Sequence, residues 1–430
     1  MKKWVSVSIS LIILAWLLNL WIDPPAYQMR SVINEARLVT GVLAWGFMAG
    51  CIVIAARPRW IERVTRTSLD ELYRWHKYLG IATVVASLAH FYAKDAVRAL
   101  RFVLEIAPSG KKIRVPATDW LDLAWLWLKE MTQTSGEWVF YGMLILTVLC
   151  FVKRLPYSRW LTTHRLFSVF FLILAPHALR LMPVGDHLTP FGVINIVITG
   201  VGCWYAVRLL VRGPGAEMTQ KVTVTDVRHR DDVTIVNVQS EHPLEGKAGQ
   251  FAFLQSEQDS KHPYTIIGSE GNRACFAIKA LGDHTKHEVP TWTPGTVLWM
   301  EGPWGDFLAD MTTSRQLWVA GGIGIAPFVA WLKAHDFRHL DVELLWCIKS
   351  RSGEVLFDEV VELAQKAGVR LHVVESTVKR LDVASLFVKG TPEGISICAP
   401  KRLKKAVKDA YVRAGGRLRS IRSEHFSWRD

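Results

Sequence analysis

The 430-residue chain is poor in cysteine, and its six thiols are scattered. Cys51, Cys150, Cys203, Cys275, Cys347 and Cys398 form no C-x-x-C pair and keep no ligand spacing to a histidine, which argues against a zinc site or an iron–sulfur cluster. No disulfide framework is implied, and the three thiols inside apolar runs read as small hydrophobes. Acidic residues are also short: 39 Asp and Glu stand against 52 Lys and Arg, a net charge of +13. Such a balance can serve nucleic-acid binding. Here the cations gather in short loops beside apolar runs, as in the cytoplasmic loops of membrane proteins, so no nucleic-acid partner is expected.

Apolar sequence is plentiful. Half of the residues are hydrophobic although 21% are charged, which indicates a membrane part followed by a soluble part. The 19 tryptophans and 18 phenylalanines suit a chain whose helices leave a bilayer. Six runs are long enough to be considered spans: Trp4–Ile22, Leu38–Ala56, Trp75–Tyr92, Trp138–Val152, His164–Met182 and Phe191–Leu210. The first follows Lys2 and Lys3 like a signal peptide but lacks a small-residue cleavage site, so it reads as a retained helix. Loop charge sets the orientation. Arg57, Arg59, Arg63, Arg66, Arg74 and Lys77 lie between spans two and three, and Lys153, Arg154, Arg159 and Arg165 between four and five. Short basic loops stay inside, which puts both termini and everything after span six in the cytoplasm. The loop from Lys94 to Glu137 is also basic, but long loops weigh less in this rule. Within it, Trp120–Met131 reads as a separate helix lying along the membrane surface.

Gly213-Pro214-Gly215 ends the last span, and the periodicity changes. Lys221–Val227 and Val233–Val238 alternate polar with apolar, and turn residues recur to about Met311, as in a small antiparallel barrel. From Gln316 onward strands alternate with helical stretches, the pattern of an α/β domain with a parallel sheet. The expected domains are therefore an all-α six-helix membrane bundle (1–212), a β-barrel (213–312) and an α/β domain (313–430).

Ionisable residues inside spans are rare and need a reason. Span three holds His76 and His90, fourteen apart; span five holds His164 and His177, thirteen apart. Fourteen residues rise about 21 Å and nearly complete four turns, so His76 and His90 share a face. Two such helices facing each other would clamp two hemes, His76 pairing with His164 and His90 with His177. The thirteen-residue gap leaves His177 about 140° from His164 in azimuth. Pro176 can supply a compensating kink. His187 matches nothing in this scheme.

The soluble half carries four patterns in order. Gly249-Gln250-Phe251 leads to His262-Pro263-Tyr264-Thr265-Ile266, where a tyrosine can lie against an isoalloxazine ring while the next hydroxyl bonds a ring nitrogen. Lys279 and Gly282-Asp283-His284-Thr285 suit a pyrophosphate, and Gly302-Pro303-Trp304-Gly305 closes the barrel. The strand Leu317–Ala320 then enters Gly321-Gly322-Ile323-Gly324-Ile325-Ala326-Pro327, a turn whose N–H groups can approach phosphate. After the next strand, Lys349-Ser350-Arg351 either holds a 2′-phosphate, favouring NADPH, or is a solvated basic turn.

Together the histidine spacings, His262-Pro263-Tyr264-Thr265, Gly282-Asp283-x-Thr285, the Gly321–Pro327 turn and Cys398-Ala399-Pro400 resemble the ferric reductase and NADPH oxidase superfamily, in particular its compact bacterial members. The resemblance implies a heme-binding bundle with two b-type hemes joined to a ferredoxin-reductase-like module for FAD and NAD(P)H, in a bacterial inner membrane with the module cytoplasmic. It implies electron transfer to oxygen or a ferric chelate, or, as an alternative, to a periplasmic partner protein. Cys398 matches the family cysteine near the nicotinamide, with Ala399 in place of the usual glycine. Glu424-His425-Phe426 resembles the family ending, so Phe426, or alternatively Trp428, would shield the flavin. Arg37 resembles an arginine near the outer heme, although an interfacial snorkelling arginine fits equally. Animal oxidases have a histidine four residues past the outer ligand where this chain has Lys94, a departure that argues against efficient superoxide formation. A heme-free receptor or transporter with a reductase-like tail is the reading from another class.

Overall fold

The computed structural model describes the chain apart from residues 23–28, 104–119, 153–156, 181, 183–186, 245, 258–259, 379–380, 389 and 425–430. It divides into two compact units, one of Met1–Thr67 with Glu71–Ala216 and one of Ser68–Asp70 with Glu217–Asp430.

The first unit is helical: α1 (Lys2–Ile22), α2 (Met29–Ala56), a short α3 (Ile61–Thr65), α4 (Leu69–Val103), α5 (Trp120–Cys150), α6 (Tyr157–Arg180) and α7 (Pro190–Arg212). Helix α7 shows how the sequence sets its ends. Thr189 caps the start, its hydroxyl accepting from Gly192 N at 3.3 Å with Pro190 in the first turn, and Gly213 at φ +76° stops it. Three stretches, Lys3–Ile22, Ile33–Ala56 and Pro190–Arg212, are long and apolar enough to cross a membrane. Helices α4, α5 and α6 have the length but are more polar, α4 and α6 carrying the four histidines and α5 the charges of Lys129, Glu130 and Glu137.

One expectation fails here. Trp120–Met131 is not a separate surface helix but the first part of the continuous α5. The polar stretch Thr132–Glu137 looks like a break, yet the Thr132 and Ser135 hydroxyls bond back to the carbonyls three residues earlier and the helix runs through. Helix α6 likewise continues through Pro176.

The helices meet on a small core. Trp45 of α2 stacks on Phe171 of α6 with ring centroids 3.7 Å apart, and its indole N–H donates to Thr199 of α7 at 2.8 Å. Phe171 is fully buried because Gly202 of α7 leaves it room, a Cβ there falling 2.2 Å from the ring. Small residues that let helices approach are the usual basis of packing in lipid, where apolar transfer gives no drive between helices.

The second unit begins with a closed antiparallel barrel of β1 (Thr219–Arg230), β2 (Val233–Ser240), β3 (Phe251–Gln255), β4 (His262–Glu270), β5 (Arg273–Lys279) and β6 (Val297–Trp304), in the order β1-β2-β5-β4-β3-β6. A five-residue helix, α8 (Asp283–His287), lies in the β5–β6 connection. Alternating residues such as Val222, Val224, Val236 and Val238 fill the barrel with Phe276 and Trp292. The buried Glu301 carboxylate is satisfied by Lys261 Nζ at 2.7 Å and Trp304 Nε1 at 3.2 Å, as a buried charge must be.

A five-stranded parallel sheet follows, ordered β11 (Ile421–Ser423), β10 (Gly394–Cys398), β7 (Arg315–Gly321), β8 (Asp341–Ile348), β9 (Arg370–Glu375). Helices α9 (Ala326–Ala334), α10 (Phe357–Ala367) and α11 (Lys401–Arg413) connect it. The near-continuous apolar strands reflect a sheet covered on both faces. Trp318, Phe328, Trp331, Phe337 and Trp346 form its principal core, which also takes in Val233, Ile267 and Ala277 from the barrel wall.

Two glycines of the β7 turn differ in surroundings. A Cβ on Gly324 would lie 2.1 Å from the Cys398 carbonyl oxygen, whereas one on Gly322, at φ +53°, would meet nothing within 4 Å. Gly324→Ala is therefore expected to cost about 3 kcal/mol or more through overpacking. Gly322→Ala should cost only about 1–2 kcal/mol of left-handed backbone strain. Thermal unfolding of the detergent-extracted protein checks the order; equal losses would contradict the packing described.

Candidate functional site

The four histidines of α4 and α6 come together in two pairs. His76 of α4 and His164 of α6 have ring centroids 5.8 Å apart, and His90 and His177 of the same helices are 6.3 Å apart. A metal between two imidazoles at about 2.0–2.1 Å from each nitrogen puts the ring centres roughly 6 Å apart, so both pairs have the right opening. Among the described residues no group of three or more His, Cys, Asp or Glu side chains could hold a metal, so each pair offers two imidazoles, a donor set that fits a heme iron.

Each ring is braced through Nδ1, which leaves Nε2 as the other nitrogen. His90 Nδ1 donates to the Arg37 carbonyl of α2 at 2.8 Å, His177 Nδ1 to the Thr132 carbonyl of α5 at 2.8 Å, and His76 Nδ1 to the Cys51 carbonyl of α2 at 3.1 Å. Arg37 and Cys51 are fourteen residues apart, the same interval as His90 and His76, so α2 presents two carbonyls in register with the two rings of α4. His164 differs: its Nδ1 lies 3.3 Å from Cys150 Sγ, and its ring stacks on Trp160 at 5.0 Å.

The His90–His177 pair shows why this seat needs particular residues. A helical carbonyl points toward the N–H four residues on, so a ring reaching its second lone pair must pass over residue i+4. Four residues after Arg37 stands Gly41, and four after Thr132 stands Gly136. A Cβ on Gly41 would fall 2.9 Å from His90 Nδ1, and one on Gly136 would fall 2.5 Å from His177 Nδ1. Sequence reading missed both glycines, although the i, i+4 relation to a carbonyl partner was available in principle. Arg37, beside the same pair, keeps its buried Nε without a hydrogen-bond partner among the described residues. A buried orphan donor next to two facing imidazoles suits a carboxylate such as a heme propionate.

In the second unit β4 places His262, Pro263, Tyr264, Thr265 and Ile266 along one barrel strand, with Tyr264 and Thr265 buried. The His262 ring stacks on His284 of α8, centroids 3.8 Å apart, which joins two patterns twenty residues apart in sequence. In the Gly282-Asp283-His284-Thr285 turn the Thr285 hydroxyl accepts from Leu281 N and Gly282 N, both at 2.9 Å. Lys279 pairs with Asp232 at 3.3 Å and Glu354 at 3.9 Å.

Gly321, Gly322, Gly324, Ala326 and Pro327 form the turn from β7 into α9. The sheet order reverses between β7 and β10, and a crevice at the C-terminal ends of two such strands is where open α/β sheets bind ligands. Cys398 pairs in register with Ala320, and Gly321 and Gly324 abut Cys398-Ala399-Pro400, so two patterns about 75 residues apart form one wall. Cys398 is buried, its Sγ 3.9 Å from Glu424 Oε2, and Lys404 Nζ donates to the Glu424 carbonyl at 3.0 Å. Burial, then the Glu424 charge, pushes the Cys398 thiol well above its ordinary range, and burial pushes the Glu424 carboxyl up as well. A thiol held protonated is no nucleophile; it can only line the site. Phe426 and Trp428 lie outside the described residues. Of Lys349-Ser350-Arg351, Arg351 bonds Glu375, a residue no sequence pattern marks.

Residues 40–175 match the family model "Ferric reductase like transmembrane component". Over 292 residues the chain is 25% identical to a superoxide-generating NADPH oxidase heavy chain of Dictyostelium discoideum, covering 61% of this chain and 54% of that one. Over 188 residues it is 27% identical to the heme-dependent oxidative N-demethylase beta subunit of Ectopseudomonas mendocina, covering 43% of this chain and 57% of that one. The chain thus spans little more than half the length of these relatives. Among solved structures, phthalate dioxygenase reductase superposes with a TM-score of 0.43 at 21% identity, covering 48% of this chain and 68% of that one. Residues 40–175 are thus similar to a ferric-reductase-like transmembrane component, and the chain is similar over part of its length to an NADPH oxidase heavy chain and to an oxidative N-demethylase beta subunit.

Proposed function

We propose that the protein is a membrane oxidoreductase that moves electrons from a cytoplasmic nicotinamide nucleotide, by way of FAD and two b-type hemes, to oxygen or a ferric chelate on the far side of a bacterial inner membrane. The observation that carries this reading is the pair of imidazole clamps, opened to 5.8 Å and 6.3 Å and braced at Nδ1. A flavin between nicotinamide and heme supplies the change from two-electron to one-electron chemistry.

The protein's own residues then hold rather than react. His76 and His164 would hold one heme and His90 and His177 the other, with the Arg37 side chain available to a heme carboxylate. Tyr264 and Thr265 face the flavin ring, while His262, Pro263, Ile266, Lys279, Gly282, Asp283 and Thr285 shape its site. The Gly321–Pro327 turn binds the nucleotide phosphates and Cys398 lines the nicotinamide pocket. A six-span topology is supported by the exposed apolar residues on the three more polar helices too, among them Val85 of α4, Val148 of α5 and Ile173 of α6.

Purified protein should show Soret and α bands that sharpen on adding reduced nucleotide; well-folded protein without them sinks the proposal. His90→Leu should remove about half of the heme. Gly136→Leu should do the same, with Gly80→Ala, which has open space around it, as the neutral control. Heme content by pyridine hemochrome decides, and retention of both hemes in His90→Leu refutes the ligand assignment. Oxygen uptake compared with ferric-chelate reduction identifies the acceptor. Absence of both in protein that retains heme points to a protein partner in the periplasm.

A further inference from the structure

The turn after β8 carries a contact that bears on which nucleotide the module takes. In the order β10-β7-β8-β9, β7 enters the glycine turn and β8 is its outer neighbour, whose C-terminal end faces the adenosine ribose in dinucleotide-binding sheets. Lys349, Ser350 and Arg351 follow that end directly. An arginine here is the natural partner of a 2′-phosphate, and a carboxylate the natural partner of a free 2′-hydroxyl.

Arg351 is already engaged. Glu375, the last residue of β9, receives the Arg351 backbone N–H at 3.1 Å on one oxygen and the Arg351 Nε at 2.8 Å on the other. The glutamate is the more sheltered partner, its side chain 21% exposed against 59% for the arginine, because the strand end fixes it. The rest of the turn is tied down too: Thr377 Oγ1 donates to the Lys349 carbonyl at 2.8 Å, and the Ser350 and Ser352 hydroxyls lie 3.0 Å apart. The guanidinium also sits over the Phe357 ring, 5.5 Å from its centroid.

Granting the nucleotide reading of this crevice, we propose that Glu375 makes the protein selective for NADH over NADPH. A ribose 2′-hydroxyl can donate to the carboxylate without disturbing the ion pair. A 2′-phosphomonoester brings about −1.5 to −2 charges against it and must pull Arg351 away to be bound. Selection of this kind works by repelling the wrong ligand as much as by holding the right one.

The test is stopped-flow reduction of the flavin in the full-length, FAD-loaded protein by NADH and by NADPH. The second-order rate constant for NADH should exceed that for NADPH by about tenfold or more, the scale expected of like charges brought together. Glu375→Gln should narrow that ratio about fivefold, mainly by improving NADPH, and Arg351→Ala should leave the NADH value within about threefold. Preference for NADPH in the natural protein, or an unchanged ratio in Glu375→Gln, overturns the proposal. Should neither nucleotide reduce the flavin, the electron-transfer reading falls, and calorimetric titration of 5′-AMP against adenosine 2′,5′-bisphosphate still decides selectivity. Tighter binding of 5′-AMP supports it and tighter binding of the bisphosphate overturns it.

Discussion

An imidazole inside a bundle of membrane helices must have both ring nitrogens satisfied, because no water is at hand to do it. In this protein three of the four imidazoles on α4 and α6 meet that demand with a main-chain carbonyl from a neighbouring helix, and a second histidine then stands opposite. Much of the helical unit follows from this. Helix α2 must run beside α4 with carbonyls at the matching interval, and α5 must continue unbroken past the place where its sequence turns polar. Glycine is required at positions 41 and 136, where the His90 and His177 rings pass over the helix. A carbonyl with two lone pairs accepts from its own helix and from the imidazole at once, so bracing the ring does not cost α2 or α5 a hydrogen bond.

The soluble unit is governed by a different constraint. Its sheet order reverses between β7 and β10, and the crevice that results is narrow enough that only glycine fits at positions 321 and 324. The Trp- and Phe-rich core behind α9 also gathers Ile267 from β4 and Ala277 from β5, so the strand bearing Tyr264 and Thr265 and the helix that starts at the glycine turn share one packed body. Motifs far apart in sequence thereby sit on that body without a flexible joint between them.

Much of this was legible in the sequence because the relevant signals are periodic or local. The barrel strands alternate, and the sheet strands are continuous apolar runs. The interval between His76 and His90 is a statement about one helix face, and reading it needs nothing but helix geometry. What escaped depends on partners. Gly41 and Gly136 look like ordinary helix glycines until a ring is placed against them. Thr132–Glu137 reads as a linker because its composition is polar, and only the hydroxyl back-bonds and the apposed His177 explain why it stays helical. Glu375 closes a strand with no pattern around it, and its meaning comes from a turn 24 residues earlier.

The odd member of the imidazole set carries a consequence of its own. Three rings lean on peptide oxygens, which are present whatever side chain the residue bears, so point mutation can displace those supports but cannot delete them. His164 leans instead on the sulfur of Cys150, a softer and weaker acceptor. At that one place a single codon change replaces the group that polarises the ring, leaving every helix where it is. The two imidazole pairs are therefore unequal in heritable plasticity: the His90–His177 pair is braced by backbone alone, the His76–His164 pair by one carbonyl and one side chain.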